Sequence, residues 1–197
     1  MRLGVLGGTF DPVHVGHLVL GEAAREELAL ERVLFVPAGQ PWRKTGQEIT
    51  AGEQRLEMLR LAVDDNPAFE VVELELQRPG PSYTADTLAE LRGRHPDADL
   101  YLILGEDALA DLPDWRDPNR ILDLATLAVA RRPTRSGPGG CIEAPPNVGG
   151  HTIWLTMPVL AVSASDIRER VREGLSIRYL VPEAVRNYIE DHCLYGQ

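Results

Sequence analysis

Two imidazoles three residues apart, His14 and His17, stand in a glycine-rich stretch that reads Gly7-Gly8-Thr9-Phe10-Asp11-Pro12-Val13-His14-Val15-Gly16-His17. Paired glycines let backbone N–H groups approach phosphate oxygens closely, and a helix N-terminus following them adds partial positive charge. If a helix has begun by Val15, both rings project toward one phosphate-sized region. Gly16 between them leaves space for a ligand atom or ring. Such a set suits anion binding and the stabilisation of charge on a phosphoryl group. A nearby polyanion favours protonated imidazole over its unperturbed pKa of about 6.5, so either ring can donate at neutral pH.

The common nucleotide loops fail on spacing. A dinucleotide fingerprint needs GxGxxG, which Gly4, Gly7 and Gly8 do not supply. A Walker loop needs GxxxxGK[ST]; Gly39 to Thr45 comes close, but Arg43 stands where the second glycine belongs. Zinc needs more ligands than two histidines at i and i+3, and neither a nearby cysteine nor HExxH is present, so no metal ligand is expected. No Ser-His-Asp or Cys-His constellation stands out. His95, His151 and His192 have no motif around them and read as surface or packing residues.

The elements that must position these groups alternate. Leu3 to Leu6 is a short apolar strand running into Gly7-Gly8, and Leu18, Leu20, Ala24 and Leu28 follow at roughly helical spacing. Arg32 to Val36 is a second strand stopped by Pro37, Leu56, Leu59 and Val63 mark a second helix, and Phe69, Val71 and Val72 a third strand. Ser82 and Thr84 offer capping hydroxyls ahead of a third helix at Leu88 and Leu91. Tyr101 to Leu104, Leu124 to Ala130 and Thr152 to Leu155 read as further strands. Two helices close the chain, beginning near Ser165 and near Pro182, where proline suits the first turn. The alternation predicts a parallel sheet with helices on both faces.

The chain has 197 residues, 21.7 kDa, and reads as a single domain over 1–197 with a core of ordinary size. Its formal charge of −10, from 30 acids against 20 bases, repels phosphate backbones and argues against broad nucleic-acid binding. No apolar run approaches the roughly 20 residues of a membrane span, and the N-terminus reads as a strand without a secretion signal. Cys141 and Cys193 lack CxxC spacing and read as reduced thiols, which points to the cytoplasm. The Pro/Gly-rich segment 131–150 reads as a surface loop without chemistry. A homo-oligomer is compatible with the sequence.

The stretch from Gly8 to His17 resembles the (T/H)xGH signature of the nucleotidylyltransferase superfamily, and in particular GG(S/T)FDPxHxGH of the bacterial nicotinate-mononucleotide adenylyltransferases. Three further stretches agree in order. Val36-Pro37-Ala38-Gly39-Gln40-Pro41-Trp42-Arg43-Lys44 resembles VPAxxPPHK, with Trp42 and Arg43 departing from Pro-His. Pro81-Ser82-Tyr83-Thr84-Ala85-Asp86-Thr87-Leu88, then Gly105-Glu106-Asp107-Ala108-Leu109 and Trp115, matches the substrate half. Val162-Ser163-Ala164-Ser165-Asp166-Ile167-Arg168 resembles ISSTxIR. The likeness runs from Leu3 to about Leu194.

The resemblance implies a Rossmann-like three-layer α/β/α fold with a mainly parallel central sheet and C-terminal helices. It implies transfer of AMP from ATP to nicotinate mononucleotide, with Mg²⁺ accompanying the nucleotide. His14, His17, Arg168 and Lys44 are the implied catalytic residues. Gly7, Gly8, Thr9, Phe10, Gly16, Gly105, Asp107, Ser163 and Ser165 join His14, His17 and Arg168 on ATP. For Asp107 a plain helix cap is an equal reading. Asp11, Lys44, Tyr83, Thr84 and Trp115 are the implied substrate contacts, Trp115 by stacking on the pyridine ring. Preference for the amide mononucleotide, the related phosphopantetheine chemistry of a shared FDPxTxGH core, and a non-catalytic nucleotide sensor are the alternatives. His14 replaces the threonine of the second, and the presence of His14, His17 and Arg168 together speaks against the third.

Overall fold

The computed structural model describes residues 1–41, 48–131, 148–158 and 160–196. Six strands alternate with helices in chain order: β1 (Arg2–Gly8), α1 (Val15–Glu27), β2 (Arg32–Pro37), α2 (Gly52–Val63), β3 (Phe69–Val71), α3 (Leu74–Gln77), α4 (Thr84–Arg94), β4 (Asp99–Gly105), α5 (Glu106–Asp111), α6 (Pro118–Leu124), β5 (Thr126–Ala130), β6 (Thr152–Leu155), α7 (Ala164–Arg172) and α8 (Glu183–Asp191). The strands form one all-parallel sheet in the order β3-β2-β1-β4-β5-β6. Parallel neighbours cannot be joined by tight hairpins, so helices fill the crossovers from β1 through β5, and the architecture is Rossmann-like. The strand order changes direction at β1, the kind of position where open α/β sheets bind ligands beyond the strand carboxyl ends. The glycine pair lies at that end of β1.

Residues pack into two compact units. The first comprises Met1–Leu6, Leu20–Val33 and Tyr83–Val159. In it Leu3 pairs with Leu100 and Val5 with Leu102, while Leu102, Ile103 and Leu104 lie beside Leu127, Ala128 and Val129. These side chains are almost wholly buried, each Leu or Val contributing about 1.5–3 kcal/mol. Arg92 ties off this unit by donating to the Leu124 carbonyl (2.9 Å) and to that of Ala98.

The second unit comprises Gly7–Val19, Leu34–Ser82 and Leu160–Gln197. Phe35 is fully buried at its centre, its ring 6.0 Å from that of Phe10 and 4.9 Å from that of Phe69. Helix α2 turns Leu56, Met58 and Leu59 into this core and packs against α8, whose Val185 and Ile189 are buried.

Several expectations are corrected. The fifth strand begins at Thr126, because Leu124 closes α6. Helices α3, α5 and α6, of 4, 6 and 7 residues, are too short to show a period in sequence. The Ser82 hydroxyl does not cap α4; it accepts the N–H groups of Gly39 (2.9 Å) and Gln40 (3.3 Å). Tyr83 occupies the cap position without a side-chain bond, and Thr84 is already helical. Pro182 is the N-cap of α8, one position before the first turn. Cys193 is an exposed free thiol, and Cys141 lies outside the described residues.

Candidate active site

The turn after β1 is shaped by its neighbours. Phe10 takes a left-handed backbone (φ 50°), and the Asp11–Pro12 peptide is cis. Phe10, Asp11, Pro12, Val13 and His14 are all buried. Gly8 packs closely against Phe10, since a Cβ there would lie 3.1 Å from its ring. Helix α1 starts at Val15, the position the spacing argument requires, with the Val15 N–H donating to the Leu180 carbonyl at 3.0 Å.

His14 and His17 come together as that start predicts. Their rings stack with centroids 3.7 Å apart and planes 24° from parallel. His17 also meets the edge of Phe10 at 4.9 Å. The backbone N–H of His14 donates to His17 Nδ1 at 3.2 Å. An imidazole that accepts at Nδ1 carries its proton on Nε2 when neutral, so His17 presents an N–H donor without needing a net charge. Two imidazolium rings stacked this closely would also repel each other, by about 4 kcal/mol at an effective dielectric of 20. The His14 N–H thus fixes which His17 nitrogen faces outward as a donor. Gly16 is a close-packing position: a Cβ there would lie 3.0 Å from His14 Nδ1 and 3.0 Å from a Val162 methyl.

Arg168 comes from α7. Ser163 is the N-cap of that helix, its Oγ accepting the Asp166 N–H at 3.1 Å. The Ser163 hydroxyl oxygen thus already serves the helix, while Ser165 Oγ accepts from Arg168 Nη2 at 3.4 Å. Arg168 Nη1 donates to the backbone carbonyl of Asp11 at 2.6 Å. One edge of the guanidinium therefore grips the glycine-rich turn within the same unit that holds both histidines.

Asp11, expected against substrate, is turned inward. It is 3 % exposed, its Oδ1 accepts the Tyr195 hydroxyl at 2.7 Å, and its Oδ2 accepts the Thr50 N–H at 3.3 Å. A carboxylate held in this way ties the turn to Tyr195 and Thr50. The Tyr195 phenol is pushed well above its ordinary pKa, by burial first and by the Asp11 charge second.

Arg55 is the residue the sequence reading missed. Only 2 % exposed, it donates to the carbonyls of Thr9 (2.7 Å), Thr50 (2.9 Å) and Ala38 (2.8 Å), the last in the loop after β2. Burial lowers its pKa, and the Asp11 charge opposes that shift. A sequence signal did exist: Arg55 stands i−3, i−4 and i−7 from Met58, Leu59 and Ala62, on the apolar face of α2. A charge on that face must be paired or hydrogen-bonded. Gly39, in the loop that Arg55 grips, admits no side chain, since a Cβ would lie 2.1 Å from the Glu75 carbonyl oxygen.

In the other unit, Asp86 and Thr87 donate their N–H groups to the Tyr83 carbonyl at 3.1 and 3.2 Å, leaving the N–H groups of Thr84 and Ala85 outside the helical ladder. The Arg116 guanidinium lies 4.5 Å over the Tyr83 ring. Trp115 is half-buried, and its indole N–H has no acceptor among the described residues. Gly105 is the N-cap of α5, so Asp107 sits exposed in the first turn and does not cap it. Lys44, with Trp42 and Arg43, lies outside the described residues.

The cytidylyltransferase-like family matches residues 5–170. A protein of Thermomicrobium roseum described as a probable nicotinate-nucleotide adenylyltransferase is 50 % identical over 195 residues, covering 98 % of this chain and 91 % of its own. One from Roseiflexus sp. with the same description is 48 % identical over 199 residues, covering 98 % and 97 %. Among solved structures, the nicotinic acid mononucleotide adenylyltransferase of Plasmodium falciparum complexed with NaAD superposes with a TM-score of 0.78 at 18 % identity, covering 98 % and 97 % of the two chains. At that identity the last likeness speaks for the fold.

Proposed function

The chain belongs to the nicotinate-nucleotide adenylyltransferases of the cytidylyltransferase-like family, and on that premise we propose which of its residues carry the reaction. The reaction is transfer of AMP from ATP to nicotinate mononucleotide in NAD synthesis, giving deamido-NAD and pyrophosphate. A phosphate oxygen of the mononucleotide forms a bond to the α-phosphorus of ATP, and the bond from that phosphorus to the pyrophosphate oxygen breaks. The attacking oxygen is already anionic, so no general base is required. The protein must align two polyanions and stabilise charge moving onto the leaving group.

In our reading the observation that carries the assignment is the stacked His14–His17 pair, with His17 Nδ1 anchored by the His14 N–H. His17 Nε2–H then donates to ATP phosphate oxygens, with His14 beside it and the N–H groups of Gly7 to Phe10 lining the turn. Arg168 sets its remaining guanidinium donors on the β and γ phosphates, a geometry its planar fork suits. Ser165 supports Arg168, and Ser163 caps the helix behind it. Lys44 supplies further charge to phosphate. The N–H groups at the start of α4 receive the nicotinate carboxylate next to Tyr83 and Thr84, Trp115 stacks on the pyridine ring, and Gly105 with Asp107 faces the ribose.

ATP chemistry brings Mg²⁺. No group of three His, Cys, Asp or Glu side chains among the described residues could cage it, so the ion would ride on the triphosphate oxygens and neutralise their charge. We read residues 1–197 as one nucleotidylyltransferase domain working in the cytoplasm. No helix among the described residues is long and apolar enough to cross a membrane.

Pyrophosphate release with ATP and, in parallel, nicotinate mononucleotide, nicotinamide mononucleotide and phosphopantetheine tests the reading. Turnover is expected with the acid mononucleotide above the other two. ATP binding without pyrophosphate release from any of them would establish a sensor instead.

A further inference from the structure

Side chains from distant parts of the chain reach the turn after β1 and bond to it. Asp11 is the node where they meet. Its Oδ1 accepts from Tyr195, 184 residues away in sequence, and its backbone carbonyl accepts from Arg168, 157 residues away. The two bonds are short, 2.7 and 2.6 Å, and lie on opposite ends of one residue. Beyond the Asp11 carbonyl, Arg168 bonds Ser165 Oγ at a long 3.4 Å, so the carbonyl dominates its aim. Tyr195 itself is held in a left-handed backbone (φ 64°), two residues after Cys193 at φ 49°, and its hydroxyl also lies 4.0 Å from Met58 Sδ. Non-glycine residues keep that conformation when their surroundings over-determine it.

We propose that Tyr195 is a positioning residue for the triphosphate: by holding the Asp11 carboxylate, its hydroxyl fixes the backbone carbonyl that aims Arg168. This rests on the reading of Arg168 as a phosphate contact. Tyr195 touches no reacting atom. Without the hydroxyl, one oxygen of a buried carboxylate loses its donor, and Asp11 must rotate toward Thr50 or toward water. Asp11 then keeps only one of its two side-chain tethers, the backbone that carries its carbonyl is held less firmly, and Arg168 loses its register on the phosphates.

The test is a kinetic cycle on the full chain with Tyr195→Phe, Arg168→Ala and the double variant, each checked for folding by thermal melting. The KM for ATP and the KM for nicotinate mononucleotide are measured separately. Tyr195→Phe is expected to raise the KM for ATP about tenfold, the scale of one hydrogen bond to a charged group, with the mononucleotide KM unchanged. In the Arg168→Ala background the same change is expected to do nothing further. An equal effect in both backgrounds, or a lowered melting temperature with ATP kinetics intact, overturns the positioning role while leaving Arg168 on phosphate. An Arg168→Ala protein with unchanged ATP kinetics overturns the phosphate reading, and the positioning role with it. Should Tyr195→Phe fail to fold, Asp11→Asn reads the same link through the same cycle, since its amide cannot accept from both Tyr195 and Thr50.

Discussion

At the level of single residues, the role we propose for His17 depends on where one proton sits. His17 takes the His14 N–H at Nδ1, so a donor at Nε2 is present in the neutral ring. Replacing His17 by Ala removes that donor and leaves the core intact, because the ring is partly exposed at the head of α1. The expected outcome is a kcat lower by about 10²–10³-fold, the loss typical for one charge-stabilising donor. Melting should be nearly unchanged. Single-turnover pyrophosphate release gives the first number and calorimetry the second; wild-type kcat would exclude the role. That His14, His17 and Arg168 gather at one turn was legible in the sequence, because a helix starting at Val15 brings residues three apart onto one face. Asp11 was legible as a position, but its buried side chain accepts from Tyr195 and Thr50. Nothing in a linear motif says whether a carboxylate points to a substrate or to a tyrosine 184 residues away.

At the level of elements, α2 holds the site from behind. Arg55 joins the turn after β1 to the loop after β2 through the carbonyls of Thr9 and Ala38. Arg55→Met keeps the apolar stem and deletes the donors, leaving the carbonyls of Thr9, Ala38 and Thr50 without the guanidinium. Breaking a buried charged contact of this kind costs about 3–5 kcal/mol. For a chain of this length that corresponds to a Tm lower by about 10 °C. A melt within about 2 °C of wild type would show that water replaces Arg55 there. The strands were readable from runs of Leu, Val and Ile, since strands buried on both faces need continuous apolar stretches. The short helices α3, α5 and α6 were not, having too few turns for a period. The Ser82 hydroxyl was misassigned because a capping residue and a loop-bridging residue look the same until the partner is known.

At the level of the whole molecule, the sequence-wide likeness and the sheet order agree on one fold, and the surface charge of −10 makes local organisation of cations necessary. Global stability should also register Tyr195. Its phenol titrates higher in the folded state than the ordinary 10, so the folded protein retains a proton that the unfolded chain gives up. That contribution is complete below about pH 10 and is lost as pH rises beyond it. Urea unfolding between pH 8 and 11 should therefore show wild type losing stability above pH 10 more steeply than Tyr195→Phe. Parallel curves for the two proteins would contradict the buried phenol.

The grip of Arg55 on three backbone carbonyls has a consequence for timing. A nucleotide-binding loop that stays unformed until its ligand arrives must surrender entropy at every encounter. In the role we propose for this turn, the Arg55 bonds complete that ordering when the chain folds, before any nucleotide is met. Successive turnovers therefore begin from the same prepared surface, and the ATP association rate should owe little to any rearrangement of the turn.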